Sequence, residues 1–177
     1  MRIDQLYNTD APFLHVAQTS ASEIANFAWS LTQHDSVSVA VRFLRGRKMT
    51  TVSALFDEFV AALQFPPYFG ENWDAFEECI TDLSWLPADC YILVVTDADA
   101  LLRHEPVSEL ETFLTILQDA GDEWSHSTPP CDPERDQGVA FHSLLQAEES
   151  NAAELIAKLN SIGVLFDEVH LSPAHAA

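Results

Sequence analysis

Apolar residues recur along the first part of the chain with two periods, one typical of helices and one typical of strands. Four apolar residues at helical spacing predict a helix over residues 21–33: Ile24, Phe27, Ala28 and Leu31. Ser20 and Glu23 form a capping box at the start of this helix. Apolar residues alternate with polar or small ones over residues 37–43, which predicts a half-buried strand, and residues 13–17 predict a shorter strand. The chain therefore begins with a strand, a helix and a second strand.

The middle of the chain continues this alternation. Residues 51–64 carry apolar side chains on one face and predict a second helix. Residues 90–95 form an unbroken apolar run, typical of a central strand that helices cover on both faces. A capping box of Ser108 and Glu111 indicates the start of a further helix. Three prolines and few apolar residues predict a long surface loop over residues 121–137.

The C-terminal part predicts one more helix between two strands. Residues 139–146 alternate well enough for a strand. Ser150 is the expected cap of a helix over residues 152–161, and Gly163 is placed to close it. Residues 164–171 predict the last strand. Helices and strands thus alternate along the whole chain, which is the pattern of an α/β protein.

A sharp turn followed by an acidic helix stands out from this pattern. Pro66 and Pro67 end the preceding helix, and Gly70 supplies a position free of Cβ strain where the chain can turn. Asn72 is a favourable N-cap. The helix that follows has an apolar side of five residues: Trp73, Phe76, Cys79, Ile80 and Leu83. This spacing predicts a short amphipathic helix that packs on the core.

The other side of the same helix is strongly acidic. Four carboxylates lie within one arc and a fifth, Glu77, borders it; the four are Glu71, Asp74, Glu78 and Asp82. Like charges at these spacings destabilise an isolated helix by about 0.2–0.5 kcal/mol per pair. The sequence has no Lys or Arg between Lys48 and Arg103 to compensate them. A cationic partner would explain such a surface, and a solvated helix face is the alternative.

The residues around this turn resemble those of barstar, the small intracellular inhibitor of the ribonuclease barnase. Ten residues match the helix and loop of that family in an alignment without a gap: Leu63, Pro66, Tyr68, Phe69, Gly70, Glu71, Asn72, Asp74, Ala75 and Cys79. The similarity is clear over residues 39–96 and looser to residue 145. The resemblance implies that the loop and the acidic helix plug the active site of a nuclease. Their carboxylates would then take the place of substrate phosphates against catalytic cations.

The resemblance also implies roles for single residues of this surface. Tyr68 would be the aromatic contact on the loop and Asp74 the first helix carboxylate. Glu78 stands where the family has its most buried acidic contact, an aspartate that is one methylene shorter. Glu77 stands where barstar has a tryptophan, so the expected partner is not barnase itself. The partner-binding set predicted on this surface is Tyr68, Phe69, Gly70, Glu71, Asn72, Asp74, Glu77, Glu78 and Asp82.

One further acidic contact is implied on the helix that follows residue 107. Aligning the apolar positions of that helix with the family's fourth helix places Asp119 at this contact. Asp122 and Glu123 are close to it in sequence and remain alternatives.

The resemblance further implies a fold. Residues 37–146 would form the barstar-like core, a three-stranded parallel sheet with helices on both faces. Residues 1–36 would add a strand and a helix to the same domain, and residues 147–177 a helix and a strand. These additions would extend the sheet to about five strands or form a dimer surface, so the oligomeric state stays open.

Composition narrows the class of partner. The 177 residues carry a formal net charge of −20 with only 8 Lys and Arg, which disfavours nucleic acid and anionic membranes and favours a basic protein. Three cysteines without paired spacing fit a reducing compartment. The first residues lack the basic and apolar regions of a signal peptide, and no apolar run approaches the length of a membrane span. We therefore expect a cytoplasmic protein.

The sequence contains none of the usual catalytic arrangements. Asp74 and Glu78 lie one helical turn apart on one exposed face, so they share an environment, whereas acid and base roles need different ones. Asp97 and Asp99 follow the apolar run, a position where α/β enzymes often place carboxylates, but we interpret them as helix caps. The sequence has no Gly-rich phosphate loop and no nucleophile elbow. We expect no enzymatic activity.

No cofactor or metal is expected either. His126 and Cys131 have no further Cys or His at ligand spacing. The basic cluster of residues 45–48 lies beside a turn and is interpreted as structural. The predicted function is therefore inhibition of a ribonuclease by occlusion of its active site. The alternative is a non-catalytic interaction module for another basic partner, such as a DNase toxin or a regulatory protein.

Overall fold

The computed structural model describes residues 3–33, 37–127 and 138–169. The strands are β1 Leu14–Gln18, β2 Val39–Arg45, β3 Cys90–Thr96, β4 Ala140–Ala147 and β5 Asp167–Val169. The α-helices are α1 Ala21–Leu31, α2 Val52–Leu63, α3 Trp73–Asp82, α4 Val107–Ser125 and α5 Glu149–Ile162. Short 3-10 helices cover Ile3–Tyr7, Gly46–Lys48 and Ala98–Ala100.

The strands form one parallel sheet in the order β2-β3-β4-β1-β5. The predicted α/β class and the parallel sheet are therefore confirmed. The sheet has five strands, so the three-stranded sheet expected for residues 37–146 is only its β2-β3-β4 part. The N-terminal segment inserts β1 beside β4, with Leu14 opposite Ser143, and the C-terminal segment adds β5 at the edge, with His15 opposite Asp167.

Helices cover both faces of the sheet, as predicted. On one face, Ile24, Ala28 and Leu31 of α1 pack in a cluster with Ile92 and Val94 of β3. On the other face, α2 to α5 form the larger core with the alternate residues of the same strands. The side chains of β3 from Cys90 to Val95 are all buried because both faces of this strand are covered. The apolar run of residues 90–95 therefore reflects a central strand covered by helices on both faces, as the sequence predicted.

Several helix ends follow the predicted chemistry. The capping box of Ser20 and Glu23 starts α1. Gly163 ends α5 with φ +81°, a backbone conformation that glycine adopts without strain. Two other predicted caps are wrong: α4 starts one residue before Ser108, with Pro106 at the N-cap, and α5 starts after Glu148, before Ser150. In both helices the serine lies within the first turn, and Pro106 and Glu148 occupy the N-cap positions without a side-chain capping bond.

The predicted surface loop over residues 121–137 is wrong in its first part, because α4 continues to Ser125. Gly121 lies inside this helix, and a Cβ atom there would come within 2.3 Å of Cγ of Phe13. The glycine therefore allows close packing of α4 on the segment that enters β1, and does not end the helix. The rest of that predicted loop lies largely outside the described residues.

The basic residues after β2 are engaged with neighbouring carboxylates. Glu58, buried in α2, accepts hydrogen bonds from Nε and Nη2 of Arg45 at 2.7 and 2.8 Å. Nε of Arg47 lies 3.7 Å from Oδ2 of Asp97. Asp97 is the N-cap residue of the 3-10 helix Ala98–Ala100, as predicted, with φ 50°, but its side chain makes no capping hydrogen bond. Asp99 lies inside that helix, so its predicted role as a cap is wrong. The carboxylate of Asp97 faces Arg47 and so connects β3 to the turn after β2.

Within the described residues, no helix combines the length and the apolar character needed to span a bilayer.

Candidate functional site

The loop between α2 and α3 turns through two residues in the left-handed region, and neither is a glycine. Gln64 ends α2 with φ 54°, and Glu71 precedes the N-cap of α3 with φ 49°. Gly70 was expected to supply the sharp turn, but its φ is not positive. A Cβ atom on Gly70 would lie 2.9 Å from Nδ2 of Asn72, which donates to the Gly70 carbonyl. A larger residue at position 70 would therefore displace the Asn72 side chain from this hydrogen bond, and the left-handed conformation falls on Glu71.

Asn72 starts α3 as predicted. Its Oδ1 accepts a hydrogen bond from the backbone N–H of Ala75 at 2.9 Å. The side chain of Asn72 thus bonds both to the loop before it and to the helix after it. The loop and the first turn of α3 are held as one unit.

An aromatic cluster fixes this unit to the core. Phe76 is fully buried and meets Phe59 of α2 edge to face, with ring centroids 4.9 Å apart. Phe69 of the loop packs edge-on against Phe56 and Phe65 at 5.5 and 5.2 Å. Edge-to-face pairs at these distances add to the energy of burial. Packing of Phe69 and Phe76 on the core therefore holds in place the backbone that carries the acidic residues.

The acidic side of α3 faces solvent. Its five carboxylates are all exposed: Glu71, Asp74, Glu77, Glu78 and Asp82. Among the residues that the structure describes, none of the five forms an ion pair with Lys or Arg. Asp82 accepts a hydrogen bond from Ser84 Oγ at 3.2 Å. In the described part of the chain, the negative charge of this surface is thus uncompensated.

A groove separates the loop from α3. It has a volume of about 260 Å³ and is lined by Tyr68, Phe69, Ala75, Glu78, Cys79 and Asp82. The side chain of Tyr68 is 75 % exposed, although tyrosine usually hides part of its ring. Burial, with the charges of Asp82 and Glu78, raises the pKa of the Cys79 thiol, so this groove offers carboxylates and an aromatic ring but no thiolate. We call the residues from Tyr68 to Asp82 the acidic loop-helix surface.

The nine residues predicted on the loop and α3 lie together in this surface. Asp119, the tenth, is exposed on α4. In the described part of the chain it shares no hydrogen bond or ion pair with α3. Its alternatives Asp122 and Glu123 are exposed as well.

Sequence reasoning missed one residue that positions the site. Glu109 lies half-buried in the first turn of α4, and its Oε2 accepts a hydrogen bond from Nε1 of Trp73 at 2.8 Å. The two residues are 36 positions apart, and nothing in their local patterns pairs them. The available signal was Trp73 itself. A tryptophan on the core-facing side of a helix usually needs a hydrogen-bond acceptor for its indole N–H.

The described residues contain no group of three His, Cys, Asp or Glu side chains that could hold a metal ion. His126 is exposed and contacts the Asp122 carbonyl and Ser125. Cys131 lies outside the described residues. Cys79 and Cys90 are buried free thiols.

Comparison with known proteins gives one family and one fold. Residues 39–146 match the model of the family described as Barstar (barnase inhibitor). None of the curated proteins matches the chain by sequence.

The solved structures similar in fold include two archaeal proteins. Cdc6p from Pyrobaculum aerophilum is 13% identical, with a TM-score of 0.52 over 88% of this chain and 38% of that one. The ORC2 protein from Aeropyrum pernix is 12% identical, with a TM-score of 0.60 over 96% of this chain and 44% of that one. The chain therefore spans less than half the length of each. At these identities the likeness concerns the arrangement of the sheet and its helices.

Proposed function

The chain belongs to the Barstar (barnase inhibitor) family, and from this premise we propose that it is a cytoplasmic protein inhibitor of a ribonuclease. The acidic loop-helix surface would enter the active site of the nuclease and block it. Its carboxylates would occupy the positions where the enzyme binds RNA phosphates. A basic ribonuclease, made by the same cell or delivered to it as a toxin, is the partner that this function requires.

The observation that carries the proposal is the uncompensated charge of this surface. Five exposed carboxylates lie on or just before one short helix, and none has a Lys or Arg partner among the described residues. An enzyme that binds RNA presents Lys and Arg at its phosphate sites. A surface that is acidic and rigid complements such a site in charge, and the net charge of −20 favours rapid electrostatic encounter.

The geometry adds a second kind of complementarity. The groove beside Tyr68 has room for the end of one side chain and presents the carboxylates of Glu78 and Asp82. A cationic side chain that entered it would meet an aromatic ring and two negative charges. Because the aromatic cluster holds the loop and α3 in place, little ordering would be needed on binding. Preorganised surfaces of this kind bind more tightly for a given contact area.

We also propose that the chain has no catalytic activity. The ORC2 structure contains ADPNP and ADP, and phosphates commonly bind at the N-terminus of a helix that follows a strand. Here only Thr19 and Ser20 connect β1 to α1. Glu23 accepts a hydrogen bond from the Ser20 N–H at 3.1 Å, and Glu148 accepts one from the Ala21 N–H at 3.4 Å. A phosphate at this helix start would meet two carboxylates, which disfavours a nucleotide.

Affinity capture followed by an inhibition assay tests the proposed function. The tagged chain is used to capture partners from its source cell, beside a double variant, Asp74→Asn with Glu78→Gln. Glu154→Gln, an exposed carboxylate of α5, is the matched control. We expect the parent and the control to retain a basic protein that the double variant loses. The captured protein should cleave RNA, and the parent chain should suppress that cleavage at equimolar concentration.

The dependence of the association rate on salt concentration is an independent test of the same complex. Association should slow as ionic strength rises, because screening weakens the attraction between exposed charges. A captured partner without ribonuclease activity would contradict inhibition. If that partner were a DNase or a regulatory protein, the chain would be an interaction module for another basic protein. The exposed Glu77, at the position of a tryptophan in barstar, is the feature that makes such a change of partner reasonable.

A further inference from the structure

β2 forms one edge of the sheet, because β3 is its only partner among the described strands. It runs for seven residues in unbroken register with β3 and contains no proline. Sheet edges are commonly protected by a proline, a bulge or a very short strand, because their free backbone groups pair readily with another extended chain. β2 has none of these three devices.

The hydrogen bonds to β3 show which backbone groups of β2 face outward. In a parallel pair, alternate residues direct both their N–H and their C=O to the neighbouring strand. Ser38, just before β2, bonds in this way, since its carbonyl accepts from the N–H of Cys90 at 3.2 Å. Every second residue after it follows the same pattern. The residues between them, Val39, Val41 and Phe43, therefore direct their N–H and C=O groups away from the sheet.

Two contacts of this edge agree with that direction and mark its limits. Oε1 of Glu58 accepts a hydrogen bond from the backbone N–H of Arg45 at 3.0 Å, which closes the C-terminal end of the edge. Nη1 of Arg42 donates to the Val41 carbonyl at 2.9 Å. The three outward N–H groups before Arg45 have no acceptor among the described residues. The edge therefore offers a row of backbone donors to an incoming strand.

The two faces of this edge differ in chemistry. Val39 and Val41 are half-buried against the cluster under α1, and Phe43 is 44 % exposed. Successive side chains of a strand point to opposite faces. Arg42 therefore lies on the other face, on the same side as the buried Leu44, and is itself half-buried. One face of the edge is apolar and the other carries a cation.

The chain also concentrates its few cations at this edge. Residues 42–48 contain four of the 8 Lys and Arg: Arg42, Arg45, Arg47 and Lys48. Arg45 and Arg47 pair with carboxylates, whereas Arg42 and Lys48 have no carboxylate partner among the described residues. Two uncompensated cations repel a second basic edge and attract an acidic strand. The charge of the edge therefore disfavours pairing with β2 of another copy.

We propose that the β2 edge binds an extended acidic segment of another protein as a sixth strand of the sheet. The apolar side chains of that segment cover Val39, Val41 and Phe43, and its alternate carboxylates meet Arg42 and Lys48. In complexes of this kind the backbone hydrogen bonds give affinity, and the alternate side chains give specificity. The proposal does not rest on ribonuclease inhibition, which uses the acidic loop-helix surface.

Hydrogen exchange followed by NMR tests this on the full-length chain. The probe is a synthetic peptide as long as β2 in which valine alternates with glutamate. It should slow the exchange of the N–H groups of Val39, Val41 and Phe43, and leave those of Ala40 and Leu44, already bonded to β3, unchanged. A peptide with glutamine in place of glutamate is the matched control and should bind more weakly. Equal binding of the two peptides, or protection that does not alternate along β2, would overturn the proposal.

Variants of the edge separate its charge from its backbone. Arg42→Gln and Lys48→Gln should each weaken binding of the glutamate peptide by up to about fivefold, the range of exposed ion pairs. Lys158→Gln is the control, since Lys158 lies on α5 and donates to the Leu101 carbonyl. Val41→Pro removes an outward N–H that the sheet does not use and should abolish binding, whereas Val41→Thr keeps this donor and should still bind. Unchanged affinity in both cation variants would contradict the site even if Val41→Pro failed to fold.

Two further measurements distinguish this site from other uses of the edge. Sedimentation of the parent chain should show no dimer that depends on β2. A dimer that Val41→Pro converts to a monomer would assign the edge to a second copy and overturn the proposal. The double variant Asp74→Asn with Glu78→Gln should bind the glutamate peptide as the parent does, and loss of that binding would overturn a separate site. The β2 edge and the proposed inhibitory function can therefore fail independently.

Discussion

Trp73 and Glu109 are joined by a hydrogen bond of 2.8 Å from the indole Nε1 to the carboxylate Oε2. The bond links the first turn of α3 to the first turn of α4. The ring of Trp73 also meets Phe56 edge to face at 5.1 Å, so it is held from two sides. Asp74, the next residue, is exposed. This link to α4 thus acts together with the aromatic cluster around Phe76 to orient α3 and its acidic side.

Replacing Trp73 with Phe should loosen that link. The variant removes the indole donor and leaves the Glu109 carboxylate without it. Hydrogen bonds to charged groups contribute about 1.5–3 kcal/mol, and because Glu109 is half-buried, water replaces part of the loss. We expect the free energy of unfolding to fall by about 1 kcal/mol in urea denaturation. Trp29→Phe is the control, since Trp29 is 69 % exposed, and equal losses in the two variants would refute the importance of the link.

Tyr68 should matter for binding and not for folding. Its side chain is 75 % exposed beside the groove, and tyrosine is enriched among residues that dominate protein interfaces. We expect Tyr68→Ala to weaken binding of the ribonuclease by at least about 2 kcal/mol, measured by calorimetry, with no change in thermal unfolding. Trp29→Ala removes a similarly exposed aromatic ring from α1 and should leave binding unchanged. Loss of stability in the Tyr68 variant would instead assign the ring a structural role.

Glu58 should make stability depend on pH. The hydrogen bonds from Arg45 hold the pKa of Glu58 below its ordinary value of 4.5, although burial opposes this. A lowered pKa in the folded state contributes stability above 4.5 that is lost as the pH falls through the folded-state pKa. Glu58→Gln should therefore reduce the free energy of unfolding by about 1–3 kcal/mol at pH 7.

The difference between the parent and Glu58→Gln should narrow below pH 4.5, because protonation removes the same charge in the parent. Urea denaturation at a series of pH values measures this. Glu154→Gln, on the exposed side of α5, should follow the parent at every pH. A constant difference from pH 7 to pH 3 would show that the loss comes from packing and not from the ion pair.

The sequence predicted the elements whose pattern has a single local cause. The presence of β2, the apolar run of β3 and the N-cap of α3 at Asn72 each follow from residues within one turn or strand. The alternation in β2 did not predict its buried face, because the buried residues are Ala40 and Leu44, and Phe43 is exposed. The uncompensated acidic side of α3 was visible for the same reason, since helical spacing alone brings its carboxylates together. Such features do not depend on how the chain folds elsewhere.

Features that depend on distant contacts could not be read in this way. Gly121 resembled the start of a loop, but it lies inside α4, where the ring of Phe13 leaves no room for a side chain. The link between Trp73 and Glu109 and the pair of His15 and His142 join residues 36 and 127 positions apart. The position of β1 between β4 and β5 likewise follows from the topology of the complete sheet.

The acidic side of α3 should reduce stability while it promotes binding. Glu78 lies four residues from both Asp74 and Asp82, and each such like-charge pair destabilises a helix by about 0.2–0.5 kcal/mol. Glu78→Gln should therefore raise the free energy of unfolding slightly at low salt, and 1 M salt should remove the gain. The same variant should bind the ribonuclease more weakly. Asp74→Asn is the matched comparison, because Asp74 lies in the first turn, where the helix dipole favours its charge and offsets the relief. If the Glu78 variant is no more stable than the parent and binds the ribonuclease equally well, the acidic side of α3 is a solvated helix face and does not bind the partner.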